Sequence, residues 1–251
     1  MTFQYSSAST PALHNLTFHV PPRTRVGIVG RTGAGKSSVT AALFRIVDPL
    51  QQGKIEIDGI NICEIGLEDL RSKLAIVPQD PVLFRGTIRS NLDPFHRYED
   101  SQMWDALSRV KLFDTIKSLP KGLDGEVSEE GANFSVGQRQ LICMARAILK
   151  KSAIMVMDEA TANVDPETDG LIQDTMKSEF KGCTVLCIAH RLHTIIYYDK
   201  VMVLEAGCIS EYGSPLQLLE DSASLFYSLC ERSGDLEQLK LAALGAYSSF
   251  S

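Results

Sequence analysis

The chain has 251 residues, of which 44% are hydrophobic and 22% charged, an ordinary balance for a globular protein long enough to bury a sizeable core. Its 25 Lys and Arg against 31 Asp and Glu give a net charge of −6, which argues against nucleic acid as the main partner, because phosphate backbones select basic faces. No apolar run approaches the ~18 residues that cross a bilayer, and Met1 is followed almost at once by strand-like Phe3-Gln4-Tyr5 rather than by a leader.

In chain order, "RVGIVG" from Arg25 to Gly30 predicts a short buried strand, followed by a helix from Lys36 to about Ile46. "KIEIDG", Lys54 to Gly59, alternates with period two and ends in an Asp-Gly turn. "KLAIVPQ", Lys73 to Gln79, predicts a buried strand stopped by Pro78. From Thr87 to Leu119 the pattern turns helical: Trp104, Leu107 and Val110 recur at spacing three, and Phe113, Ile116 and Leu119 continue it. This gives a helical insertion over about residues 86–150. The runs "SAIMVMDEA", "CTVLCIAH" and "KVMVLEAG" add three more apolar strands. Alternation of this kind implies an α/β fold with a largely parallel sheet. Residues 234–251 form an extension with one helix. The six cysteines contain no C-x-x-C pair. Cys183 and Cys187, four apart on one predicted strand, would stand about 13 Å apart, too far for a disulfide. All six are read as reduced thiols.

Gly30-Arg31-Thr32-Gly33-Ala34-Gly35-Lys36-Ser37 fits G-x-x-x-x-G-K-[ST], and it lies between a predicted strand and a predicted helix. The glycines let successive N–H groups turn toward one anion, and the helix behind them adds the positive end of its dipole. Lys36 can reach the outer phosphates, and the Ser37 hydroxyl can ligate Mg²⁺. Ser38 continues the cradle. In an open α/β sheet, ligands gather beyond the carboxyl ends of the strands. Three further groups fall at such ends: Gln79, the pair Asp158-Glu159, and His190. Asp158 suits the metal, and Glu159 suits the orientation or deprotonation of an attacking water. His190 is placed to hydrogen-bond the γ-phosphate, and Gln79 to contact both metal and water. Taken singly, each has a plainer reading, as a loop glutamine, a structural histidine or an acidic helix cap.

A second anion-like cradle stands at Ser135-Val136-Gly137-Gln138, within "ANFSVGQRQL". Ser135 and Gln138 have capping-box spacing, which accounts for them structurally. It does not account for Gly137.

"GRTGAGKSS", "VPQD", "FSVGQRQ", "MVMDEATANVD" and "IAHRL" occur in the order and spacing of an ATP-binding cassette nucleotide-binding domain, which nearly the whole chain resembles. "GIVGRTGAGKSS", "IDGINI", "IVPQDPVLF" and "NLDPF" are most similar to the second such domain of the multidrug-resistance-associated (subfamily C) transporters. The resemblance implies a P-loop core, an antiparallel β subdomain and a helical signature subdomain. It further implies ATP and Mg²⁺ as ligands and ATP hydrolysis coupled to export. The implied partners are a second nucleotide-binding domain packed head to tail and the transmembrane domains of a transporter, with this domain on the cytoplasmic side. Ser135, Val136, Gly137 and Gln138 would then close on the partner's nucleotide. Tyr5 falls at the adenine-stacking aromatic, and Asp165 ends the D-loop, while Asp165-Pro166 also reads as an N-cap followed by proline at the first helical position. Val82, Leu83 and Phe84 fall in the loop that docks a membrane-domain helix, and core packing explains their apolar character equally well. Phe134 and Val136 depart from the commonest L-S-G-G-Q form of the signature. The missing membrane spans make the chain an excised domain, a fragment or a separate subunit. A soluble cassette acting on DNA or ribosomes would need a coiled-coil insertion, a second cassette or a basic arm. A non-hydrolysing regulatory domain fits less well with Glu159 and His190 in place.

Overall fold

A computed structural model describes residues 1–5, 8–47, 52–158, 164–189 and 191–248. In chain order the first elements are β1 (Arg25–Val29), α1 (Lys36–Leu43), β2 (Glu56–Ile57), β3 (Ile60–Asn61), α2 (Leu67–Lys73) and β4 (Leu74–Val77). Next come β5 (Gly86–Thr87), α3 (Ile88–Leu92), α4 (Asp100–Arg109), α5 (Phe113–Lys117), β6 (Glu126–Val127) and α6 (Val136–Lys150). The remainder is β7 (Ile154–Asp158), α7 (Pro166–Glu179), β8 (Thr184–Ile188), α8 (Leu192–Ile195), β9 (Lys200–Glu205), β10 (Cys208–Gly213), α9 (Pro215–Glu220), α10 (Leu225–Arg232) and α11 (Leu236–Ser248). The chain forms two compact units, residues 1–74 with 184–251, and residues 75–183.

In the first unit β1 lies parallel to both β8 and β9, and β10 closes the edge antiparallel to β9. Val26, Ile28, Val185, Ile188, Val201 and Met202 are buried along these strands, as near-continuous apolar runs require when a sheet is covered on both faces. Ala206 and Gly207, at φ 47° and 78°, make the two-residue turn between β9 and β10. The sequence reading missed β10, because "CISEYG" is half exposed and carries too few apolar residues to signal a strand. Of the strand predicted over Lys54 to Gly59, Glu56 and Ile57 form β2, which the Asp-Gly turn joins to β3. In that turn Asp58 has φ 51° and Gly59 φ 80°. Helix α1 stops at Leu43 rather than near Ile46, since Arg45 takes a left-handed φ of 46° and Ile46 is exposed.

In the second unit α6 is the central helix, flanked by α3, α4 and α7. The helical stretch predicted from Thr87 to Leu119 is three helices. Pro94 ends the first, because the residue before a proline is pushed out of helical backbone, and Asp93 has φ −141° and ψ 80°. Leu107, Val110 and Ile116 are buried as their spacing demands. Arg89 on α3 ties this layer together, donating from Nε to Asp124 at 2.8 Å and from Nη2 to Asp100 at 3.0 Å. The six cysteines are free thiols; Cys183 lies just before β8 and Cys187 within it. Burial pushes the Cys230 thiol up to about 12.

Candidate functional site

The P-loop of the first unit is built by close packing. A Cβ on Gly30 would stand 2.3 Å from the Leu204 carbonyl oxygen, so the exit from β1 admits glycine alone. Gly35 takes φ 100°, and a Cβ there would meet Leu13 and the Ala12 carbonyl at 2.7 and 2.9 Å. Gly33, at φ 82°, faces open space, with nothing within 4 Å of a built Cβ. The loop's back is tied to the β9–β10 turn by the Gly207 N–H donating to Ala34 O at 3.1 Å. Its front is open: Arg31, Thr32 and Gly33 are exposed. Gly35 is the N-cap of α1 and offers no side-chain acceptor, so the first-turn N–H groups have no side-chain cap.

Lys36 is 6% exposed, and its Nζ donates to Gly30 O at 2.9 Å and Arg31 O at 3.3 Å. Carbonyl oxygens carry only partial charge, so a phosphate is the stronger partner for this ammonium. Ser37 is exposed at the second position of α1, while Ser38 behind it is buried. The Tyr5 hydroxyl donates to Ser38 Oγ at 3.1 Å, and Phe3 meets the Tyr5 ring edge-on at 5.0 Å. The residue predicted to stack on adenine therefore stands against the helix that follows the P-loop.

In the second unit Asp158 is the last residue of β7 and half buried, and Gln79 is exposed two residues past the end of β4. Among the described residues the next helix begins at Pro166, and its N-cap is Asp165, whose side chain accepts from Thr168 N. Thr168's backbone N–H, the largest influence, holds the Asp165 carboxyl below the usual range. Glu159 and His190 lie outside the described residues.

The signature segment is explained piece by piece. Phe134 is buried in the core, which accounts for an apolar residue there. Ser135 caps α6 by a capping box: its Oγ accepts from Gln138 N at 3.1 Å, and Gln138 Oε1 accepts from Ser135 N at 3.0 Å. Gly137 has a packing reason that the sequence did not reveal, since a Cβ there would stand 2.4 Å from Thr168 Cγ2 on α7. Ser135 is exposed, and Val136 and Gln138 are half exposed. In the loop after Gln79, Val82 and Phe84 are 50% and 70% exposed, while Leu83 is 1% exposed. Leu83 therefore belongs to the core and not to the docking surface predicted for it. Asn91 holds this loop, accepting from Phe84 N and donating to Phe84 O, both at 2.8 Å.

Sequence reasoning missed Gln140. Its Nε2 donates to the carbonyls of Pro78 and Gln79 at 3.0 and 3.1 Å. The signal was present: residues 140, 144 and 148 form the buried stripe of α6, and a glutamine stands where Met144 and Ile148 set the pattern.

Among the described residues no helix is long and apolar enough to cross a membrane, and no three His, Cys, Asp or Glu side chains form a metal cluster. A family model described as ABC transporter matches residues 13–162. The chain is 54% identical over 96% of its length to human ATP-binding cassette sub-family C member 4. It is 56% identical over 88% to the probable multidrug resistance-associated protein lethal(2)03659 of Drosophila melanogaster. It spans 18% and 16% of those two proteins, less than a fifth of each. Among solved structures, a bacterial Atm1-family ABC exporter with ATP bound superposes with a TM-score of 0.85 at 38% identity, covering 92% of this chain and 40% of that one.

Proposed function

The chain belongs to the ABC transporter family, and from that premise we propose that it is the ATP-binding and ATP-hydrolysing motor domain of an exporter. The observation that carries this reading is the P-loop, an exposed, glycine-built turn with a buried lysine folded over it and an α-helix behind it without a side-chain cap. Oriented backbone N–H groups, a helix dipole and an ammonium are what a triphosphate needs. Phosphoryl transfer asks for little covalent help, so positioning and charge neutralisation supply most of the catalysis.

Residues Gly30 to Ser38 cradle the phosphates, and Tyr5 supplies the flat face for adenine. The donor set fits Mg²⁺: the Ser37 hydroxyl and Asp158 carboxylate are hard oxygen ligands, and magnesium is commonly held by one or two such groups plus substrate phosphates. Held by these two groups, Mg²⁺ would supply neutralisation of the outer phosphates' charge. Glu159 orients the attacking water and takes its proton, His190 holds the γ-phosphate, and Gln79 contacts metal and water.

Ser135, Val136, Gly137 and Gln138 close on the nucleotide of a second nucleotide-binding domain, with Asp165 beside them, in a head-to-tail dimer. Ser135 supports this, because its oxygen is engaged as an acceptor in the cap and its hydroxyl proton remains to donate to a phosphate. Exposed Val82 and Phe84 are the docking surface for a transmembrane domain, and the chain is read as lying on the cytoplasmic side of the membrane. The wording of its motifs and the presence of Glu159 support reading it as the second such domain, the hydrolytic half.

The test is Glu159→Gln. The variant binds ATP, loses steady-state turnover and runs as an ATP-dependent dimer on size exclusion. Undiminished hydrolysis would reject the role given to Glu159. Mixing Lys36→Ala chains with Ser135→Arg chains tests the trans arrangement, since each hybrid dimer keeps one whole site. No ATP-dependent dimer in the mixture would remove that arrangement.

A further inference from the structure

Gln140 is 1% exposed on the apolar stripe of α6, a depth at which a glutamine persists only with its amide hydrogen-bonded. Its Nε2 uses both protons, on Pro78 O at 3.0 Å and Gln79 O at 3.1 Å. Both partners are carbonyls and accept only, which fixes the nitrogen end of the amide. Oε1, at the other end, is buried and meets no donor among the described residues. A buried acceptor without a donor costs stability. Leucine or methionine would fill the stripe without that cost.

We infer that Gln140 is a positioning residue for the ATPase reaction: it clamps the backbone at the end of β4 and so sets the direction in which the exposed Gln79 side chain leaves the sheet. This rests on reading Gln79 as the group that contacts metal and attacking water. Pro78 brings no N–H of its own, so this turn lacks one of the backbone donors that would otherwise anchor it. Gln140 supplies two donors from outside. The same helix begins at Val136, so the signature segment and Gln79 are referred to one rigid frame. Loss of the clamp leaves phosphate binding by Lys36 intact and misplaces the group that orients the water.

The experiment is steady-state ATP hydrolysis by the full chain, with thermal melting run alongside at each pH. Gln140→Leu lowers kcat about 10- to 100-fold, as a displacement of roughly 1 Å at a positioning group does, with the KM for ATP within about twofold of wild type. Gln140→Glu adds a pH signature. The introduced carboxyl is buried and titrates above the usual range. Protonated, it donates one O–H to one of the two carbonyls; ionised, it donates nothing. That variant's kcat is therefore partly retained at acid pH and falls as pH rises through the carboxyl's pKa, at temperatures where melting shows it folded.

A kcat within twofold of wild type in both variants overturns the proposal, as does a rise in KM that accounts for the whole loss. If Gln140→Leu does not fold, the pH profile of Gln140→Glu decides: a step absent from wild type supports the clamp, and a profile parallel to wild type overturns it. Wild-type chain without any ATPase activity overturns the motor-domain reading and this inference with it. Active wild type beside unaffected Gln140 variants overturns the inference alone.

Discussion

Two helix N-termini stand in the proposed sites, and they are built in opposite ways. Helix α1 begins after Gly35, in left-handed backbone with no side-chain cap, and its loop faces open space at Gly33. Helix α6 begins after Ser135, whose capping box satisfies its own first turn, and Gly137 is pressed against Thr168. An uncapped helix end leaves its N–H groups for an external anion, whereas a capped one has spent part of that capacity internally. The first terminus leaves its N–H groups open to a phosphate, as the proposed cradle requires. The second offers one hydroxyl proton and a dipole, which suits it to complete a site rather than to make one.

The largest expected effect separates the two directly. Lys36→Ala weakens ATP binding by about 10- to 100-fold, the ~1.5–3 kcal/mol of hydrogen bonding to a charged group, while Ser135→Ala leaves ATP binding by the monomer unchanged. Calorimetry that gave both variants the same affinity would erase the contrast. Next in size is Gly137→Ala, which forces a methyl against Thr168 Cγ2 on an adjacent packed helix. Overpacking of this kind costs about 1–3 kcal/mol, and Thr168→Ser, which removes Cγ2, restores part of it. Denaturant unfolding that found Gly137→Ala neutral would return Gly137 to a purely functional explanation.

Ser135→Ala is smaller, about 1 kcal/mol for a lost N-cap, read by the same unfolding assay. Smallest is a pH effect at Asp165. Its folded pKa is depressed by the Thr168 N–H, so its contribution is present above the unfolded value near ~3.9 and is lost as pH falls through the folded one. The group is exposed, so solvent keeps the effect slight. Asp165→Asn flattens that acid limb in a pH series of melting temperatures; an unchanged limb would show that the cap does not couple to stability.

Much was legible because it is local. The alternation of apolar runs with helices follows from which faces are buried, and the Gly30 to Ser37 spacing is itself a backbone geometry. The Ser135 capping box and the Asp165-Pro166 helix start are likewise set by neighbours within four residues, and both are present. Elements with weak patterns were read less well. β10 carries few apolar residues, and the break at Pro94 divides a stretch whose side-chain spacing alone suggested continuity.

What the sequence by itself determined, then, is the cassette's order of motifs and the residue types its loops carry, because both are fixed by short spacings along the chain. Only the tertiary structure decided why Gly137 must be glycine, why Leu83 belongs to the core, and what Gln140 holds. Those answers depend on Thr168, 31 residues after Gly137, on burial under a neighbouring element, and on carbonyls 61 and 62 residues before Gln140. Contacts made across such separations leave no periodicity in the chain; they exist only after packing has brought the elements together.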